Sequence, residues 1–67
     1  MIQVRVEVFA IAQDFMNACA DAEDCMANEY SFADYISRPL GVKQERYIPG
    51  FDEVVEGYAL RFTVEYH

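Results

Sequence analysis

The sequence predicts a small α+β domain, a β-α-(short α)-β-β chain whose three-stranded, mostly antiparallel sheet is packed on one face by the main helix. Three observations carry this expectation. Apolar and polar residues alternate over residues 2–9 and again from Tyr58 to Tyr66, the period-two pattern of half-buried strands. Between them Ile11, Phe15, Ala18, Cys19, Ala22, Cys25 and Met26 recur at steps of three and four, which draws one apolar arc along a helix. At 67 residues the chain has room for one core only, so residues 1–67 read as a single domain.

The first strand sets Ile2, Val4, Val6 and Val8 on one face and Gln3, Arg5 and Glu7 on the other. The main helix is expected from about Ala10 to Glu29, helped by five Ala and the absence of Gly and Pro between residues 12 and 28. Ser31-Phe32-Ala33-Asp34 fits a capping box, so a short second helix should follow, burying Phe32, Tyr35 and Ile36. It should stop before Arg38-Pro39, because the residue preceding a proline is pushed out of helical geometry. Val42 to Ile48 reads as a polar edge strand. Pro49-Gly50 signals a turn, and the segment on to Gly57 is either a loop or a single helical turn anchored by Phe51, Val54 and Val55. Tyr58, Leu60, Phe62, Val64 and Tyr66 make the last strand the most strongly patterned, which places it centrally, between the other two.

Composition agrees with a folded chain. Hydrophobic residues make up 54% and aromatics 15%, far from the polar, highly charged regime of disorder. The N-terminus alternates rather than presenting a basic segment followed by an apolar run, so no signal peptide is expected. No apolar stretch approaches the ~18 residues of a membrane span, and a cytoplasmic protein is expected. Cys19 and Cys25 are separated by about 240° on a helix and read as reduced, unpaired thiols.

The net charge of −7 has an address. Residues 6–37 hold Glu7, Asp14, Asp21, Glu23, Asp24, Glu29 and Asp34 with no Lys or Arg, whereas the remaining acids and bases of the chain nearly cancel. Within that segment Asp14, Asn17, Asp21, Asp24 and Asn28 step by three and four and line up as one stripe, flanked by Glu23 on the other side. From Asp14 to Asp24 the stripe spans about 15 Å. Every amphipathic helix has a solvated face, but a surface helix usually mixes signs, because like charges at i,i+4 cost about 0.2–0.5 kcal/mol each. A field of one sign repels nucleic acid and anionic membranes and favours a basic partner.

The expected function is therefore binding. Asp14, Asn17, Asp21, Glu23, Asp24, Asn28, Glu29 and Asp34 are the candidate partner-binding residues, imitating the closely spaced charges of a phosphate backbone. Such a protein would be an inhibitor or regulator occupying the basic surface of a nucleic-acid-processing protein or complex, in the manner of a phage anti-defence protein. Direct nucleic-acid binding is not expected. The alternative is a self-associating structural or adaptor module, a homodimer included, that binds through edge strands and exposed tyrosines. Tyr30, Tyr35, Tyr47 and Phe51 form the possible secondary interface, since Tyr is enriched where interfaces carry their energy. On the outer sheet face, Arg5, Glu7, Arg61, Thr63 and Glu65 read as cross-strand pairs of structural value.

Catalysis has little to build on. The single histidine is His67 and the single lysine Lys43, and no phosphate loop, nucleophile elbow or His pair occurs. Asp21, Glu23 and Asp24 lack the glycine and alternating oxygen ligands of a calcium loop. No cofactor, no metal and no enzyme activity are expected.

Overall fold

The computed structural model describes residues Met1–His67. Five elements follow in order: β1 (Ile2–Ala10), α1 (Phe15–Glu29), β2 (Tyr35–Ile36), β3 (Leu40–Ile48) and β4 (Glu53–Tyr66). One helix packs on a four-stranded antiparallel sheet, which bears out the α+β class.

β4 is the central strand, as its patterning predicts. It pairs with β1 on one side, from Ile2↔Tyr66 to Ala10↔Tyr58. On its other side it pairs with β3, from Leu40↔Arg61 to Ile48↔Glu53, and with β2 through Tyr35↔Glu65 and Ile36↔Val64. β2 and β3 thus lie end to end as one interrupted edge strand. Ser37 carries the pairing across the gap, its N–H donating to Thr63 O at 2.9 Å while its Oγ accepts from Thr63 N at 2.8 Å. Between Ser37 opposite Thr63 and Leu40 opposite Arg61, the two residues Arg38 and Pro39 face the single residue Phe62. This is a β-bulge, and Pro39, which has no N–H to offer a ladder, suits it.

The expected short helix is corrected. Ser31 and Phe32 form a turn, and Tyr35 and Ile36 join the sheet as a fourth strand. The capping-box pattern is overridden because the groups it would use are bound elsewhere. Asp34 N donates to Glu65 O at 2.8 Å, and the Asp34 carboxylate pairs with the His67 ring. Two further boundaries move. β1 runs on to Ala10 and α1 starts at Phe15, so Ile11 sits half exposed in the connection rather than on the helical arc. Residues 53–57, expected as a loop or helical turn, extend β4 across β3. The turn proper is residues 49–52, closed by bonds from Phe51 N and Asp52 N to Ile48 O at 3.0 Å. Asp52 takes the left-handed conformation at φ 54°, and Tyr47 Oη donates to its carboxylate at 2.7 Å.

The core is small. Leu60, Phe62 and Val64 of β4 meet Ala10 of β1 and Ala18, Ala22 and Met26 of α1. The two alanines let the helix approach the sheet closely, and Met26 fills the remaining space. Tyr30, Tyr58 and Tyr66 pack around this cluster. Phe15 and Tyr58 stack obliquely with centroids 5.7 Å apart, and Phe32 meets Tyr66 edge-on at 5.3 Å. A 15-residue helix reaches about 22 Å, whereas 14 strand residues reach about 45 Å. The far end of the β3–β4 hairpin therefore projects bare beyond the helix, and the molecule is 40 × 22 × 16 Å.

Candidate functional site

The acidic stripe is built by how α1 starts and which face it buries. Asp14 is the N-cap: its backbone is extended at φ −138°, ψ 164°, and its Oδ1 accepts from Asn17 N at 2.8 Å. Asn17 Nδ2 also donates to Asp14 Oδ2 at 3.0 Å, so the first two members of the stripe hold each other. A carboxylate at this end also complements the positive helix terminus. With Ala18, Ala22 and Met26 turned to the sheet, Asn17, Asp21, Asp24 and Asn28 are left exposed. Glu23 and Glu29 are exposed as well.

Orientation about the helix axis follows from a neighbouring hollow. Glu23 and Ala27 line it together with Ile36, Ser37 and Arg38, so that flank of α1 faces β2. The stripe from Asp14 to Asn28 lies on the other flank, on the side of β1. On the Glu23 flank the half-buried Cys19 thiol has its pKa pushed up by burial and, secondarily, by the Glu23 carboxylate. Cys19 and Cys25 are both free thiols.

The carboxylates of the helix have no internal partners. The three ion pairs of the fold are Lys43–Glu56, Arg46–Glu7 and Arg61–Glu7, the His67 ring meets Asp34, and none of these contacts involves Asp21, Glu23, Asp24 or Glu29. No base occupies the last helical turn either, so Glu29 meets the negative helix terminus uncompensated. Asp34 sits on a different element, in the connection to β2 and against His67.

The aromatic candidates separate. Tyr30 is half buried against the core and beside Phe32, with centroids 5.9 Å apart. Tyr35, Tyr47 and Phe51 are exposed, each by more than half. Tyr47 and Phe51 sit with Val54 at the bare hairpin tip, while Tyr35 lies at the opposite end of the sheet on its outer face. Donation of the Tyr47 phenol to Asp52, with a lesser contribution from burial, raises its pKa above the ordinary tyrosine value.

The outer face of the sheet, expected as cross-strand pairs of Arg5, Glu7, Arg61, Thr63 and Glu65, also takes in Ser37, Arg38, Leu40 and Arg46. Directly paired residues share a face, so Glu7 and Arg61 stand together with Leu40, and Arg5 stands with Thr63 and Ser37. Arg46 comes in from β3, its guanidinium 4.5 Å from the Phe9 ring centroid and 3.4 Å from Glu7 Oε2. Arg61 Nε approaches Glu7 Oε1 at 3.5 Å. The expected Glu7–Arg61 pair is thus present, inside a cluster that all four arginines of the chain border. Parity within Val42–Ile48 already put Gln44 and Arg46 on one face, but the register that sets them beside Glu7 is not written in that stretch.

Fold and surface together define a single-helix α+β domain with segregated charge, acidic along the helix and arginine-rich on the outer sheet face. No protein-family model, curated protein or solved structure matches the chain. No three His, Cys, Asp or Glu residues gather as metal ligands, and no helix is long and apolar enough to cross a membrane.

Proposed function

We propose that the protein is a small acidic inhibitor or regulator whose negative helix face occupies the basic, nucleic-acid-binding surface of a partner protein. The observation that supports this reading is the uncompensated stripe. Asp21, Asp24, Glu23 and Glu29 stand exposed on one helix with no cation within 4.0 Å, while Arg5, Arg46 and Arg61 lie on the outer face of the sheet. Opposite charges kept apart within one molecule leave the helix field for another surface, and burying it against a basic groove would release that self-repulsion. An anti-defence role of the phage type belongs to this reading, as does action in the cytoplasm.

The test is capture from host lysate at low and high salt, with the captured protein identified and then rebound in pure form. A nucleic-acid-processing protein released by salt, displaced by duplex DNA and lost with the Asp21→Lys/Asp24→Lys double variant is the expected result. Binding that survives both reversals unchanged refutes the mimic.

One observation favours the second reading, the self-associating module. β1 has no neighbour on its outer side, so every second residue along nine turns its N–H and C=O away from the sheet. The β3 edge is guarded by the polar run Lys43-Gln44-Glu45-Arg46, and β1 has no such run. Antiparallel pairing of β1 with a second copy about Val6 would set Arg5 against Glu7 of each partner. Light scattering distinguishes the readings: a salt-insensitive dimer supports this one.

A further inference from the structure

A concavity of the molecule lies away from the acidic stripe. It lies on the outer sheet face, has a volume of about 520 Å³, and is bordered by Arg5, Arg38 and Arg61 with Glu7, Thr63 and Leu40. That volume falls within the range of small-molecule sites, roughly 300–1,000 Å³. Its construction is specific. Arg5 rises from β1 beside Thr63, Arg61 from the next outward position of β4, and Arg38 from the bulge where two residues face one. A bulge re-aims a side chain that regular pairing would send elsewhere.

What marks the site is the charge balance of its walls. The chain carries 12 acidic residues against five Lys and Arg, so a carboxylate is the easiest partner for any cation to find. Lys43 has Glu56, and Arg46 and Arg61 share the two oxygens of Glu7. Arg5 and Arg38 have no carboxylate within 4.0 Å, and both border this concavity. Glu65, one row further along β4, is taken by Gln3 Nε2 at 2.8 Å. Arg38 also borders the hollow beside Glu23 without forming an ion pair there. Three guanidinium groups and one carboxylate leave a local charge of +2.

We infer that this concavity binds a phosphate monoester, its dianionic head held by Arg5, Arg38 and Arg61 and its apolar body laid against Leu40. Guanidinium forks match phosphate oxygens two at a time, and a dianion balances the local charge. The Ser37 hydroxyl, which accepts from Thr63 N, retains its proton to donate to a phosphate oxygen. Leu40 is 78% exposed and supplies apolar surface at the rim. A second hollow of about 280 Å³, which shares Glu7, Leu40 and Arg61, continues along β3 past Val42 and gives the body of the ligand room to extend. The acidic stripe lies on the other side of the sheet. At physiological salt, exposed charges more than about 8 Å apart are largely screened, and Glu23, which shares a hollow with Arg38, forms no ion pair with it.

The experiment is a titration of the intact, isotopically labelled chain with phenyl phosphate, inorganic phosphate and benzoate, followed by amide chemical shifts. Expected are saturable shifts confined to the neighbourhood of residues 5, 37, 38, 40, 61 and 63, tightest for phenyl phosphate and weakest for benzoate. Arg38→Gln and Arg5→Gln should each weaken phenyl phosphate at least tenfold. Lys43→Gln removes the same unit of charge away from the concavity and should change the affinity less than twofold. Non-saturating or scattered shifts, equal loss in Lys43→Gln, or unchanged affinity in both arginine variants would each overturn the assignment. Both arginines are exposed, and if one variant failed to fold the other would still decide the question.

Discussion

Replacing Gly57 by Ala places a methyl group where β1 leaves no room for it. The added Cβ would lie 2.4 Å from the Ala10 carbonyl oxygen and 2.9 Å from Cζ of Phe9. Ordinary contact begins near 3.4 Å, so the end of β1 must retreat by about 1.0 Å, and the atom in the way is backbone rather than a flexible side-chain tip. Overpacking of this kind costs about 1–3 kcal/mol. Against it stands a gain of about 0.4–1 kcal/mol from restricting the unfolded chain. A 2.4 Å clash with backbone belongs at the upper end of that cost, so the net expectation is a loss of about 2 kcal/mol, and for a domain of this size each kcal/mol lowers Tm by roughly 4–8 °C. Gly50 is the internal control: nothing lies within 4 Å of the point a Cβ there would occupy and its φ is negative, so Gly50→Ala should be stabilising. Thermal and urea unfolding followed by circular dichroism measure both. If residues 53–57 were a loop, the two substitutions would act alike. A Gly57→Ala protein as stable as the parent would therefore refute both the extended β4 and the close passage of β1.

Three further outcomes follow from the same packing. Met26→Ala should destabilise by about 2–5 kcal/mol, because Met26 is fully buried among Ala18, Ala22 and β4 and its removal leaves a cavity. Met16→Ala, at a position 83% exposed, should stay within about 0.5 kcal/mol; urea midpoints compare the two. Tyr47→Phe should alter the alkaline limb of stability. The folded state holds the Tyr47 proton more tightly than the unfolded state, so this contribution is present below the ordinary pKa near 10 and is lost as pH rises through the raised folded value. The gap in urea midpoint between parent and variant should then close as pH rises above about 10, and parallel curves would contradict the Tyr47–Asp52 bond. Iodoacetamide should label Cys25 before Cys19, since Cys25 is exposed whereas burial and Glu23 disfavour the Cys19 thiolate; mass spectrometry after partial alkylation reads the order.

Much of the fold was legible because its periods are strong. β1, α1 and the second half of β4 announce themselves by two-residue and three-to-four-residue spacing, and a strand as regular as Tyr58 to Tyr66 belongs in the middle of a sheet. The failures occur where local chemistry was overruled by distant partners. Ser31 to Asp34 reads as a helix start, but Asp34 spends its N–H on Glu65 and its carboxylate on His67, residues at the other end of the chain. Glu53 to Glu56 has no alternation to mark a strand, and β3 makes it one by pairing. The true helix cap was visible in principle, since Asp14 precedes Asn17 by three residues, but the apolar arc drawn back to Ile11 hid it.

The two charged surfaces divide along the same line. The acidic stripe is a property of one helix, and residues 6–37 alone determined it, because spacing within a helix dictates which side chains share a face. The arginine-lined concavity could be decided only by tertiary structure. Its residues come from β1, the bulge and β4, and they meet because antiparallel registers set Glu7 beside Arg61 and Arg5 beside Thr63 while one extra residue turns Arg38 toward them. Alternation along a strand reports which side chains share a face, but register between strands depends on the whole sheet, and no short stretch of sequence contains it.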